Sequence, residues 1–367
     1  MKILEVDSVN YRIFGDELKI DDKLPAGVYN VCFSKMQGFW LHKHEDLTVN
    51  EKLYGNHEEK INKLMRAYDA FDRSMGVIFS GDKGIGKSIA ARMLCEKSVA
   101  KGLPVILVDA NIPGIASFID SIQQECVVLF DEFEKNFRKI RDDGEDIGNE
   151  QDALLSLFDG TSSTVKRMYL ITCNDLWQLS DFLVNRPGRF HYHIRWKYPN
   201  HEEVKEYLAD KVDPTYWGEI QNVLAFASRV PLNYDCLRAI AFELNLGQTF
   251  QEAIEDLNIK DVEGTRYDLI VELVDGSRYE ARDVGCDSFD TEREDMSVWN
   301  KDRNGRDAII AFIPANAHAA NGTLQLDLAT TDFRYRGSDK EAPAIRSAFL
   351  RPRVRENVNY NIAGIVA

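Results

Sequence analysis

Long apolar runs are missing from this 367-residue sequence. No stretch approaches the ~20 consecutive apolar residues of a membrane-spanning helix, and Met1 to Val9 does not read as a signal peptide. The expectation is a soluble, cytoplasmic protein. Cysteine is sparse: Cys32, Cys95, Cys126, Cys173, Cys236 and Cys286 are scattered, with no C-x-x-C spacing. That argues against a disulfide framework and for buried thiols in a reducing compartment. Basic charge is in deficit, with 45 Lys and Arg against 60 Asp and Glu and a formal net charge of −15. A surface of that sign repels phosphate backbones and anionic membranes, which disfavours non-specific nucleic-acid or lipid binding. The excess is not one acidic tail, since from position 262 onward 18 acids face 14 bases. Internal repeats and low-complexity tracts are also absent. What remains is a globular composition, 44% hydrophobic and 29% charged, in a length that suits about two domains.

Periodicity divides the chain further. Residues 1–50 read as short strands, Tyr11 to Phe14 and Gly27 to Phe33, punctuated by Gly and Pro. From Asn56 the spacing of Ile61, Leu64, Met65, Tyr68 and Phe71 predicts an amphipathic helix. Apolar strands then alternate with helices: Met75 to Ser80, helix Ser88 to Lys101, Val105 to Val108, Val127 to Phe130, helix Gln151 to Phe158, and Met168 to Thr172. Such alternation implies an α/β region with a parallel sheet covered on both faces. Residues 200–260 read as helical, with helices at Val204 to Lys211 and Tyr234 to Asn245. From Asp261 the pattern turns to strands. Tyr267 to Leu273 and Arg278 to Arg282 flank the turn Asp275-Gly276, a hairpin signature, and Ala308 to Ile313 and Thr323 to Leu328 read as further strands. The expected domains are 1–50, 51–199, 200–260 and a mostly β 261–367.

One loop carries the chemistry. Gly81-Asp82-Lys83-Gly84-Ile85-Gly86-Lys87-Ser88 fits G-x-x-x-x-G-K-[ST] between a strand and a helix that continues through Ile89. Glycines let the loop wrap closely, so its N–H groups converge on phosphate oxygens at a helix N-terminus. Lys87 is expected on the β- and γ-phosphates and the Ser88 hydroxyl on Mg²⁺. The strand Val127 to Phe130 ends in Asp131-Glu132. Asp131 is suited to hold the Mg²⁺ shell and Glu132 to polarise an attacking water. Asn174 lies just past the strand Met168 to Thr172, a polar group suited to the γ-phosphate or its water. In Asn185-Arg186-Pro187-Gly188-Arg189-Phe190, two arginines bracket a Pro-Gly turn, suited to presenting guanidinium groups at a subunit edge.

This order of phosphate loop, Asp-Glu, strand-Asn and R-P-G-R-F resembles an AAA+ ATPase. The last element is similar to the second region of homology of the AAA subgroup, and Leu154 to Gly160 resembles that subgroup's helix ending in L-D-G. The resemblance spans about Leu53 to Ile259. It implies a parallel sheet with a helical lid, Mg-ATP hydrolysis, and a homo-oligomeric ring, a hexamer by preference, with nucleotide at subunit interfaces. It makes Asp131 and Glu132 Walker B, Asn174 sensor 1, and Arg186 and Arg189 fingers acting on a neighbour. Leu53-Tyr54-Gly55 is similar to the linker over the adenine, where Tyr54 either stacks on the base or simply packs. The compact organisation also resembles AAA proteins encoded by tailed bacteriophages, which would place it in the bacterial host cytoplasm.

The chain departs from peptide-threading members. The loop Asn111-Ile112-Pro113-Gly114-Ile115-Ala116 has no aromatic, leaving Ile112 or Ile115 as weak grips. Arg238 is a candidate sensor 2, with an exposed helical Arg as the plainer reading, and Asp142 to Asp146 reads as a solvated acidic loop or a channel lining. His42-x-His44 and His191-x-His193 lack the further ligands structural zinc requires. Trp40 and Trp196 read as packing rather than base stackers, and Arg351 to Arg355 reads as a basic strand edge. The expectation is therefore an ATPase that remodels a protein client, with a nucleic-acid loader or a nucleotide-gated scaffold as alternatives.

Overall fold

A computed structural model of the chain describes residues 2–7, 10–17, 19–137, 154–159, 165–180, 183–184, 187–259, 266–300, 308–320, 322–337 and 340–353. The acidic run 142–146 and Arg186 lie outside the described residues. Two compact units are present, one of Met1–Asn50, Glu58–Phe79 and Ser88–Ile194, the other of Glu51–His57, Ser80–Lys87 and Arg195–Ala367.

In chain order the first part holds β1 (Lys2–Asp7) and β2 (Asn10–Phe14), a two-stranded antiparallel ribbon. Next come β3 (Val28–Ser34), β4 (Gly38–Lys43), α1 (His57–Ala70), β5 (Met75–Ser80), α2 (Lys87–Ala100), β6 (Val105–Val108) and α3 (Ile115–Ser121). They are followed by β7 (Cys126–Phe130), α4 (Phe133–Asn136), α5 (Leu155–Asp159), β8 (Arg167–Cys173) and β9 (Phe190–Arg195). Seven strands form one sheet in the order β4-β3-β6-β7-β8-β5-β9. The pairs β3–β6, β6–β7 and β7–β8 are parallel, and β4 runs antiparallel to β3 at the edge. β5, β7 and β8 are buried along their whole length. That is why their sequences read as unbroken apolar runs: in a parallel sheet both strand faces are covered. In α1 the buried residues Ile61, Leu64, Met65 and Tyr68 repeat at helical spacing, while Phe71 falls just past its end.

Two anchors hold this unit. Arg167 opens β8 with 0% exposure and donates to Asp120 Oδ1 at 3.1 Å, Asp120 O at 3.2 Å and Ile122 O at 2.8 Å. It thereby satisfies carbonyls at the end of α3, where a cation is favoured by the helix dipole. Phe190 packs edge-on against Phe158, which meets Phe130 and Tyr169 in the same way. The Phe of R-P-G-R-F is thus a core residue that fixes the arginine-bearing turn to the sheet.

The second unit contains a helical part and a β part. α6 (His201–Lys211), a 3-10 turn (Pro214–Glu219), α7 (Ile220–Ala227), α8 (Tyr234–Asn245) and α9 (Phe250–Asp256) pack around Leu208, Val223, Leu237, Ile240 and Leu244. Asn200 with Glu203 and Thr249 with Glu252 form capping boxes that start α6 and α9. β10 (Arg266–Leu273), β11 (Arg278–Gly285), β12 (Glu294–Asn300) and β13 (Ala308–Phe312) follow. With β14 (His318–Ala320), β15 (Thr323–Gln325), β16 (Asp332–Tyr335) and β17 (Ile345–Pro352) they build an antiparallel sheet in the order β14-β15-β17-β10-β11-β12-β13-β16. Alternate residues of β10, Tyr267, Leu269, Val271 and Leu273, enter its core.

Two expectations change here. The strand from Thr323 ends at Gln325 rather than Leu328, because Asp327 folds the chain back: its carboxylate accepts from Ala329 N–H at 3.0 Å and its carbonyl from the Thr331 hydroxyl at 2.7 Å. Of the basic cluster, Arg351 and Pro352 end a strand that has neighbours on both sides, and residues 354 and 355 lie outside the described residues. β17 lies between β15 and β10, and Arg353, just past its end, pairs with Asp268 at 3.7 Å and Asp283 at 3.5 Å.

The helical and β parts are tied by Arg229, just past α7. Its guanidinium donates to Ser288 O and, at 2.7 Å, to Ala317 O, and it lies over the Phe289 ring. Tyr267 Oη donates back to Arg229 O at 3.2 Å.

Candidate nucleotide site

The phosphate loop follows β5 and runs into α2. Gly81, Gly84 and Gly86 have φ of 141°, 74° and 96°. Space is as limiting as torsion. A Cβ on Gly81 would lie 2.4 Å from Trp196 O, and one on Gly84 2.7 Å from both Asn233 Nδ2 and Asp235 Oδ2. Lys87 is 8% exposed and donates from Nζ to Gly81 O and Asp82 O, each at 2.6 Å. The loop thus curls around the ammonium that a phosphate would meet.

The helical part holds this loop from outside. Tyr234 N–H donates to Gly84 O at 2.9 Å, and Asn233 Nδ2 to Lys83 O at 3.1 Å. The same Asn233 starts α8, its Oδ1 accepting from Cys236 N–H at 2.8 Å. Beneath Gly86 sits His57, stacked on buried Trp196 at 4.4 Å and 14° and donating from Nδ1 to Tyr54 O at 2.5 Å. Sequence reading missed His57 and Asn233; for Asn233 the available signal was its place as a helix N-cap.

Tyr54 is buried. Its ring packs against Tyr207 and Tyr234, and its hydroxyl donates to Asp210 at 2.6 Å. Burial first, then the bond to Asp210, pushes its phenol well above the usual range. Gly55 has a φ of 69°, with Glu203 lying over it. Arg238 is 58% exposed and ion-paired with Glu51 at 3.4 Å, as an exposed helical Arg would be.

The carboxylate pair stands at the end of β7. Thr172, near the end of neighbouring β8, donates its hydroxyl to Asp131 Oδ1 at 2.5 Å and accepts from Glu132 N–H at 2.9 Å. One threonine therefore fixes the Asp131 carboxylate and the Glu132 backbone. Glu132 is left-handed, with φ 46° and ψ 49°, and it caps α4 while its carboxylate pairs with Lys135. A β-carbon in that conformation costs about 1–2 kcal/mol, and such strain collects at functional positions. Asn174 donates to Glu134 Oε1 from its backbone N–H at 2.9 Å and from Nδ2 at 2.7 Å. Arg189 begins the approach to β9, its carbonyl pressed against Gly76, where a Cβ would lie 2.3 Å away.

Residues 77–198 match the family model described as ATPase family associated with various cellular activities (AAA). The chain carries an AAA ATPase domain. No curated protein matches the chain. The matched segment runs from β5 to just past β9 and contains the phosphate loop, Asp131-Glu132, Asn174 and Arg189. The helical and β parts after residue 198 lie outside the match.

Outside these residues the AAA domain corrects one expectation. Ile115 is buried at the start of α3, with Gly114 against Phe39, so it has no side chain to offer a threaded peptide. Phe39 in turn stacks on Phe118 at 4.9 Å. Among the described residues no group of three or more His, Cys, Asp or Glu is arranged to hold a metal, and no helix is long and apolar enough to cross a membrane. Burial pushes the thiols of Cys95 and Cys126 up to about 12 and about 11, so they are packing groups rather than nucleophiles.

Proposed function

We propose that the AAA domain binds Mg-ATP, hydrolyses it in a homo-oligomeric ring, and couples turnover to rearrangement of a protein client. The observation that carries this reading is the Asp131-Glu132 pair at the end of a buried strand, with Thr172 bonded to the Asp131 carboxylate and to the Glu132 backbone N–H, and Glu132 in a left-handed conformation. A passive nucleotide binder has no use for a costly left-handed glutamate.

The residues fit the substrate. The three glycines leave the loop N–H groups clear to turn inward, and Lys87 exchanges its two carbonyl partners for β- and γ-phosphate oxygens. Ser88 and Asp131 would hold Mg²⁺, which supplies charge neutralisation on the phosphates when bound. Glu132 takes the proton of the attacking water as the new P–O bond forms, and ADP departs. Arg186 and Arg189 act on the nucleotide of a neighbouring subunit. The acidic surface, −15 overall, favours a protein client over nucleic acid.

Steady-state ATP turnover of Glu132→Gln tests the reading, with loss of turnover and retained nucleotide binding expected. Mixing Arg189→Ala with Lys87→Ala subunits should restore part of the activity that each lacks alone. Full turnover in dilute monomer would remove the finger role. The Glu132→Gln protein is also the bait for a client that binds only the ATP state.

A further inference from the structure

Glu134 sits two residues past the strained Glu132, in the short helix α4, and is 7% exposed. Its Oε1 accepts from both N–H groups of Asn174, the backbone one at 2.9 Å and Nδ2 at 2.7 Å. Its Oε2 is buried with no hydrogen-bond partner among the described residues. Burying a carboxylate with one oxygen unmatched is unfavourable. A residue serving only to fill space in α4 has cheaper alternatives, Leu or Met among them.

The two bonds to Asn174 do something specific. A backbone N–H and a side-chain N–H of one residue, both drawn to one oxygen, fix where the residue sits and how its side chain is turned. They also decide which end of the carboxamide is which. A carboxylate offers only acceptors, so Nδ2 must face it, and Oδ1 is turned to the other side. We propose that Glu134 is a positioning residue for ATP hydrolysis, acting through Asn174: it holds the sensor carboxamide in one orientation and touches neither nucleotide nor Mg²⁺ itself. This rests on the assignment of ATP hydrolysis above.

Glutamine is the informative replacement. Its carboxamide oxygen can accept the same two N–H groups, so Glu134→Gln should keep Asn174 in place and retain kcat within about threefold. Glu134→Leu removes the acceptor of both bonds, and the loss of that hold on the Asn174 carboxamide should lower kcat by about ten- to a hundredfold while KM for ATP stays within about threefold. In an Asn174→Ala background, Glu134→Leu should cause no further loss, because the residue it positions is gone. Hydrogen exchange at the Asn174 amide should quicken in Glu134→Leu and not in Glu134→Gln, and a thermal melt of each variant reports whether it folds.

The proposal is overturned if Glu134→Gln is as slow as Glu134→Leu, since the charge itself would then be acting, as a base or a metal ligand. It is equally overturned if the Leu and Ala effects multiply in the double variant, or if Glu134→Leu turns over normally. A wild-type protein that hydrolyses no ATP sinks the functional reading instead, and the exchange measurement still reports whether Glu134 holds Asn174.

Discussion

Replacing Glu132 with glycine should make the protein inactive and more stable than replacing it with glutamine. Both substitutions remove the carboxylate and its exposed pair with Lys135, so those losses cancel in the comparison. Only Gln keeps a β-carbon at φ 46°. Relief of the left-handed conformation favours Gly by about 1–2 kcal/mol. The greater freedom of Gly in the unfolded chain returns about 0.5–1 kcal/mol. The balance is roughly 0–1.5 kcal/mol in favour of Gly, with a centre of about 0.75 kcal/mol that corresponds to about 1.5–3 °C in the melting transition of the AAA domain. Gly is also an acceptable residue at the start of α4, so no cap is lost. Differential scanning calorimetry on the two variants side by side, with ATP turnover measured on both, is the assay. If Glu132→Gln melts at or above Glu132→Gly, Glu132 stores no strain, and the argument that its conformation is retained for catalysis falls.

Gly84→Ala should weaken binding of a fluorescent ATP analogue by about tenfold or more, since a left-handed φ of 74° costs about 1–2 kcal/mol and the new methyl meets Asn233 and Asp235. Arg167→Met should destabilise the sheet by about 3–5 kcal/mol, stranding Asp120 and two carbonyls, with KM for ATP unchanged in the fraction that folds; a denaturant titration followed by kinetics reads both. The hydrogen bond from Tyr54 is the first cause of the lowered Asp210 carboxyl. A carboxyl lowered on folding stabilises above its unfolded value of about 3.9, and that stability is lost as pH falls through the lower folded value. The gap in melting temperature between wild type and Tyr54→Phe should hold from pH 7 to pH 5 and narrow below about pH 3.5.

Features set by neighbours in sequence were legible. The phosphate loop announces itself through glycine spacing, the strands β5, β7 and β8 through unbroken apolar runs, and α8 runs from Tyr234 to Asn245 as its period predicts. What was not legible depends on partners far along the chain. Asn233 reaches Lys83 across 150 positions, and nothing near either residue marks the meeting. Glu134 reads as an ordinary acid in a short helix until β8 brings Asn174 beside it. β17 has no clean alternation, because Arg346 and Ser347 separate Ile345 from its other apolar residues, so its place inside the sheet was not legible. Arg229 looks like a surface cation, yet backbone carbonyls of two β-region loops take up its guanidinium.

Asn233 carries a consequence for how this chain can drift. Helices begin about equally well with Asn, Asp or Ser, and nearly so with Thr, and any of them could start α8 by its side-chain oxygen. Only Asn also has an N–H to give to Lys83 O. An Asp there would keep the cap but turn a carboxylate toward a carbonyl beside the loop meant for phosphates, and Ser is too short to serve both ends. A position that looks freely exchangeable by the rules of helix starts is therefore restricted to one amino acid, because the two ends of its amide answer to two different parts of the molecule.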